Sequence, residues 1–164
     1  MSMHSRPWYH WLALGGGSGL SPVLPGTMGT IAAIPLYLLL ALVVQNNVVY
    51  TLVLVAIIAV GPWLCGQTAR EMQNSGSGMR ALDPPAIVWD EWAGLLLTLW
   101  LVPFGWWTLL VGFLLFRFFD MLKPWPISWL DKHIHGGTGI MLDDIAAAIP
   151  ALILLRLMLW AGWL

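Results

Sequence analysis

The sequence predicts an all-α protein, a polytopic bundle of membrane helices containing a helical hairpin and a polar site on one face. Three observations carry that prediction. Hydrophobic residues make up 59% of the 164 and charged residues only 9%, where a soluble domain has about 25% charged. Apolar runs at residues 30–44, 48–65, 92–116 and from 139 or 145 to about 160 approach the ~20 residues that cross a bilayer. Finally, the chain has seven basic and eight acidic side chains in all, and seven of these fall between residues 113 and 144. A chain so short of charge has no need to concentrate it there for solubility.

Length alone gives one domain, residues 1–164. A net charge of −1 leaves no polybasic surface and argues against a nucleic-acid partner. The single cysteine, Cys65, sits in an apolar run and reads as a small buried hydrophobe. The opening run 11–14 is cut by three glycines, too short for the ~7–15-residue core of a secretion signal. The first span is therefore expected to serve as its own insertion signal. Oligomeric state is open.

Taken in order, residues 1–14 hold Arg6, two histidines, Trp8, Tyr9 and Trp11, a composition for a short helix in the headgroup layer. Residues 15–29 are rich in Gly, Ser and Pro and predict irregular backbone. The first span follows over 30–44, with Pro35 expected to kink it. Gln45, Asn46 and Asn47 make an uncharged turn, and 48–65 forms the second span, bent near Gly61 and Pro62. Residues 67–85 are the first polar stretch, with Arg70, Glu71, Arg80 and Asp83. Trp160 and Trp163 end the last span at the far interface.

The apolar region 92–116 is interrupted by Pro103, Phe104 and Gly105. As one kinked span it would put Asp90 and Glu91 across the membrane from Arg117 and Asp120. As a hairpin it would bring them together, with arms of 14 or 15 residues, roughly 21 Å each. The hairpin is preferred because it collects nearly all charge, and the loops with Arg6, Arg70, Arg80, Lys123 and Lys132, on the cytoplasmic side. Arg156 alone is left inside an apolar run, where it must snorkel or find a partner.

Arg117 and Asp120 are three apart on one helical face. Lys123 precedes Pro124, which biases it out of the helix. An interfacial anchor would use the two cations but has no need of the aspartate between them. Asp90 with Glu91, and Asp143 with Asp144, are acidic pairs where polar loops meet apolar helices. The helix dipole would favour each pair alone. Together with Asp120 they would repel strongly at low dielectric, which a hard, oxygen-ligated cation such as Mg²⁺ relieves. His133 and His135 lack a second ligand at helical spacing and read as loop or substrate contacts.

The turns with Gly26, Thr27 and Thr30, and with Gly136, Gly137 and Gly139, lead into helices. Glycine permits close approach to a ligand, and helix-start amides favour phosphate. Beside Arg117 and Lys123 these turns gain meaning as a phosphate cradle. The chain has no Cys-x5-Arg loop, no Asp-x-Asp pair and no Ser-Gly-His element. Phosphate chemistry here would rest on metal activation of water.

LPGTMGTIAAIPL, DPPAIVWDEWAG and FRFFDMLKPWPISWLD followed by HGGTGIMLDD together resemble the phosphatidylglycerophosphatase A family, in that family's order and over about half the chain. The resemblance implies a bacterial inner-membrane, multi-pass enzyme with its active site facing the cytoplasm. Such an enzyme hydrolyses phosphatidylglycerophosphate to phosphatidylglycerol and phosphate in phospholipid biosynthesis, and requires Mg²⁺. The matching positions are Asp90, Glu91, Arg117, Asp120, Lys123, Asp143 and Asp144. Asp90, Glu91, Asp143 and either Asp144 or Asp120 are expected to hold the metal. Arg117 and Lys123, with Thr27, Thr30 and His135, are expected to bind the phosphate. Which carboxylate acts as base is open, as is direct carboxylate attack on phosphorus. The family pattern places Ala-Gly after the acidic pair, whereas this chain has Ala147 and Ala148.

A rival of another class is an ion or proton transporter using membrane-embedded carboxylates. Such a relay needs ionisable groups spaced through the spans; here they crowd at the ends, which favours the enzyme. A structural subunit would tolerate alanine at the acidic pairs.

Overall fold

In the computed structural model, residues 7–74 and 84–164 are described. Arg6, Arg80 and Asp83, counted above among the polar groups, lie outside these residues. The elements are α1 (Trp8–Ala13), a 3₁₀ stretch (Gly15–Leu20), α2 (Pro25–Leu38) running into π-helical turns (Leu39–Val44), and α3 (Asn47–Asn74). They are followed by α4 (Trp89–Thr98), α5 (Trp106–Leu122), α6 (Ile127–His133) and α7 (Gly136–Trp160). Helix α7 is central and packs on α3, α4, α5 and α6.

Two helices, Pro25–Val44 and Asn47–Asn74, are long and apolar enough to cross a membrane. Only 28% and 33% of the residues in their most apolar windows are buried. A core helix of a soluble protein would be mostly covered, so these faces belong against lipid. Small residues let the helices close on one another: a Cβ on Gly137 would strike the backbone of Pro62 and Gly66, and one on Gly61 would strike Met141.

Several boundaries differ from the sequence reading. The first long helix starts at Pro25 rather than residue 30, because a proline at N1 has no N–H to lose and already carries helical φ. The second runs to Asn74, so Arg70 and Glu71 stand on a helix. The last starts at Gly136, ahead of both expected positions, with extended His135 before it. Helix α6, not anticipated, fills the segment after Pro126.

Helices α4 and α5 form the hairpin, with unequal arms: α4 has 10 residues and α5 has 17. Helix α4 stops at Thr98 because Pro103 disfavours helical backbone at Val102 and Leu101 turns left-handed at φ 53°. Arg156 reaches this frayed end, donating to the Trp100 carbonyl at 3.0 Å with its guanidinium 5.9 Å from the Trp100 ring. That is the partner its apolar surroundings demanded.

Candidate active site

Asp90 and Glu91 occupy the first turn of α4. The segment leading into them is pinned: the Val88 N–H donates to the Ala13 carbonyl at 2.9 Å, and Trp89 Nε1 donates to the Ile57 carbonyl at 3.0 Å. Asp144 enters from α7, two turns past its start. One oxygen from each of Asp90, Glu91 and Asp144 lies within 4.8 Å of the others, and all three residues are buried. Asp120, near the end of α5, is a close acidic neighbour of Asp144.

Arg117 is the cation of this cluster. Its Nη1 is 2.6 Å from Asp120 Oδ2, 3.8 Å from Glu91 Oε1 and 3.5 Å from Thr30 Oγ1. The Thr30 hydroxyl donates to the Gly26 carbonyl at 2.9 Å, so its oxygen lone pairs remain to accept from Arg117. Helix α2 presses on the site through Gly26, where a Cβ would collide with Glu91 Oε1 and come within 3.1 Å of Arg117 Nη2. Thr27, on the same turn, is half-buried.

Four carboxylates thus share this cluster with one guanidinium, which pairs with two of them, Asp120 and Glu91. Glu91 Oε2 and Asp144 Oδ2 are buried with no hydrogen-bond partner among the described residues. A carboxylate oxygen can only accept, and leaving one unmet in the interior costs about 1–3 kcal/mol or more for a charged group. A hard cation satisfies such oxygens, so the donor set fits Mg²⁺ by its chemistry.

Asp143 is placed differently from its neighbour. Successive helical residues diverge by about 100°, and Asp143 Oδ2 turns to Lys123 Nζ at 2.5 Å. Lys123 also holds Asp131 Oδ1 at 2.7 Å. Its left-handed backbone, φ 41°, turns the chain at the end of α5. Partial burial alone would lower the Lys123 pKa, but the two carboxylates outweigh it and hold the ammonium above the usual lysine range. Asp131, His135 and Asp143 line a cavity of about 40 Å³ beside this knot.

The structure therefore gathers Asp90, Glu91, Asp144, Asp120, Arg117 and Thr30 in one cluster and Lys123, Asp143 and His135 in a second. Two connections escaped the sequence reading. Asp131 joins Lys123 across a turn that gives no periodic signal. Buried His10, on α1, pairs with Glu71 of α3 at 2.8 Å, and Tyr9 donates to the same carboxylate. A larger cavity, about 230 Å³, lies at the other end of the bundle among Tyr37, Gln45, Tyr50 and Phe104, with no charged residue in its lining.

Lipid-facing helices around a buried acidic cluster, with an arginine inside it and a lysine nearby, define a helical membrane protein with a centre that could hold a metal ion. The family model described as phosphatidylglycerophosphatase A matches residues 11–159. The chain is 47% identical over 146 residues to phosphatidylglycerophosphatase A of Escherichia coli, covering 88% of this chain and 79% of that one. It is 40% identical over 147 residues to the Haemophilus influenzae protein of the same name, covering 88% and 84%. A putative phosphatidylinositol-3-phosphatase of Bacteroides thetaiotaomicron is 32% identical over 156 residues, covering 91% and 92%. No solved structure matches the chain at a significant level. The chain belongs to the phosphatidylglycerophosphatase A family.

Proposed function

We propose that this protein is a Mg²⁺-dependent phosphatase that hydrolyses phosphatidylglycerophosphate to phosphatidylglycerol and phosphate. Family membership supports the substrate. The observation that carries the metal requirement is the buried trio Asp90, Glu91 and Asp144, with acceptor oxygens of Glu91 and Asp144 lacking any partner among the described residues.

Asp90, Glu91 and Asp144 would hold the ion. When bound, it supplies Lewis-acid stabilisation of phosphoryl oxygens and lowers the pKa of water. Arg117, restrained by Asp120 and Glu91, keeps an unpartnered Nε–H among the described residues and presents it to the phosphate. Lys123 adds a second cation from the adjacent knot. These donors act as charge grows on the phosphoryl oxygens, where fixed dipoles and cations contribute most. The attacking water gives its proton to a carboxylate, Asp120 or Asp143, as its oxygen bonds to phosphorus. The bond from phosphorus to the glycerol oxygen breaks, and that oxygen takes the proton the carboxylate has just received, leaving as the lipid's free hydroxyl.

The placement of charge supports a bacterial inner-membrane protein with the site facing the cytoplasm. Arg70, Lys123 and Lys132 belong to the end that holds the acidic cluster, as the positive-inside bias expects. Trp106, Trp107, Trp160 and Trp163, exposed at the other end, suit the opposite interface.

The test is phosphate release from phosphatidylglycerophosphate in detergent, with Mg²⁺ and with chelator, for wild type and Asp144→Asn. Release should need Mg²⁺ and fall by at least about 10²-fold in the variant. Equal release in chelator, or a fully active folded variant, would overturn the metal-dependent reading.

A further inference from the structure

Between α2 and α5 the bundle leaves an apolar cleft of about 310 Å³, lined by Ile31, Ile34, Trp106, Leu109, Leu110 and Phe113. Its head adjoins the active site, because Thr30 is the neighbour of Ile31 and Arg117 lies one turn beyond Phe113. Arg117 and Thr30 approach each other at 3.5 Å, which closes the cleft at that end with polar groups. We infer that this cleft seats an acyl chain of the lipid whose headgroup occupies the Arg117 end. The inference rests on the phosphatase reading above and adds where the substrate's hydrocarbon lies.

Dimensions support this occupant. From Trp106 to Arg117 α5 rises about 16 Å at 1.5 Å per residue. An acyl chain in one leaflet of a ~30 Å hydrocarbon core reaches about 15 Å, so the length of this run suits one chain. Ile31 and Leu110 are exposed along it, and Trp106 is exposed at its far end. No other helix of the described chain covers these residues. A peptide helix seated there would bring backbone and side-chain bulk toward the guanidinium, whereas a lipid brings its own phosphate to it.

The cleft's effect is positional. A chain leaving the bilayer for the cleft exchanges one apolar surrounding for another, so it gains little transfer energy. The gain is the orientation of the phosphate ester before reaction.

Two measurements test it on the full-length protein in mixed micelles. The first compares hydrolysis of a long-chain phosphatidylglycerophosphate and of its water-soluble deacylated headgroup. Ile34→Trp or Leu110→Trp, which fill the cleft, should lower kcat/KM for the long-chain lipid by about tenfold or more through lost orientation. Both should leave the deacylated compound unchanged, and Val55→Trp, on an exposed face of α3, should change neither. Equal losses on both compounds, or none on either, would overturn the assignment. The second uses a lipid with a photoreactive group in its acyl chain. Cross-links should map to residues 31–34 and 106–113; a map centred on α3 or α7 would overturn the cleft whether or not the variants fold. If the wild type hydrolyses neither compound, the phosphatase reading fails, and the cross-link map still decides the cleft.

Discussion

Arg117 Nη1 lies 3.8 Å from Glu91 Oε1, joining the last turns of α5 to the first turn of α4 and closing the base of the hairpin. The pair is more than a latch, because the same nitrogen holds Asp120 at 2.6 Å. Replacing Arg117 by alanine should lower kcat by about 10²–10³, the usual effect of losing one donor to developing charge. Lysine restores charge but not the planar fork, so Arg117→Lys should recover less than a tenth of the lost rate. Steady-state phosphate release on each purified variant, with melting curves to confirm folding, checks both values. Near-wild-type turnover in Arg117→Lys would show that the fork does not matter.

The trio predicts that Mg²⁺ stabilises the fold as well as the reaction. A ligand at a hundred times its Kd adds about 2.7 kcal/mol to native stability, so the wild-type melting temperature should rise with Mg²⁺. Glu91→Gln and Asp144→Asn remove repulsion along with a ligand. Both should melt at or above the metal-free wild type and show little further rise on adding Mg²⁺. A full Mg²⁺ shift in both variants would move the ion elsewhere.

Gly26 offers a separation of propensity from function. Alanine in a helix is ordinarily more stable than glycine by about 0.5–1 kcal/mol. At Gly26 the new methyl would collide with Glu91 Oε1 and crowd Arg117. Gly26→Ala should therefore keep the helix and lose activity, by about tenfold for a displacement that costs 1.4 kcal/mol at the transition state. Circular dichroism and phosphate release on one sample read both sides. Unchanged activity would mean that Glu91 shifts without consequence.

Much of this architecture was legible in the sequence because membrane chains write it in charge. The interruption at Pro103 and Gly105, set against acidic residues before it and Arg117 after it, was enough to favour a hairpin, and the Arg117–Glu91 approach reports the result. The acidic pairs were visible as pairs, but not that α7 divides its own, giving Asp144 to the cluster and Asp143 to Lys123. That depends on the rotation of α7, set by Gly137 against Gly66 and Gly61 against Met141, contacts that no periodicity records. The start of α2 was misplaced for a related reason. Gly and Pro signal a loop locally, whereas Pro25 begins a helix and Gly26 leaves room for Glu91.

Lys123 supplies a prediction in pH. Its folded pKa is raised by Asp131 and Asp143 despite partial burial. A raised pKa means that the folded state holds the proton more tightly than the unfolded chain, so the stabilisation is fully present below the unfolded value of about 10.4. It is lost as pH rises from there through the folded value. Lys123→Met should lower stability by about 1–3 kcal/mol, between the exposed and buried limits for broken ion pairs, because it leaves Asp143 buried without its cation. The stability gap between wild type and Lys123→Met should stay flat from about pH 6 to 9 and narrow only above about pH 10. Denaturant melts of both proteins across that range measure the gap directly. A gap that closed between pH 6 and 9 would assign the titration to another group and remove Lys123 as the charge that holds Asp143 in place.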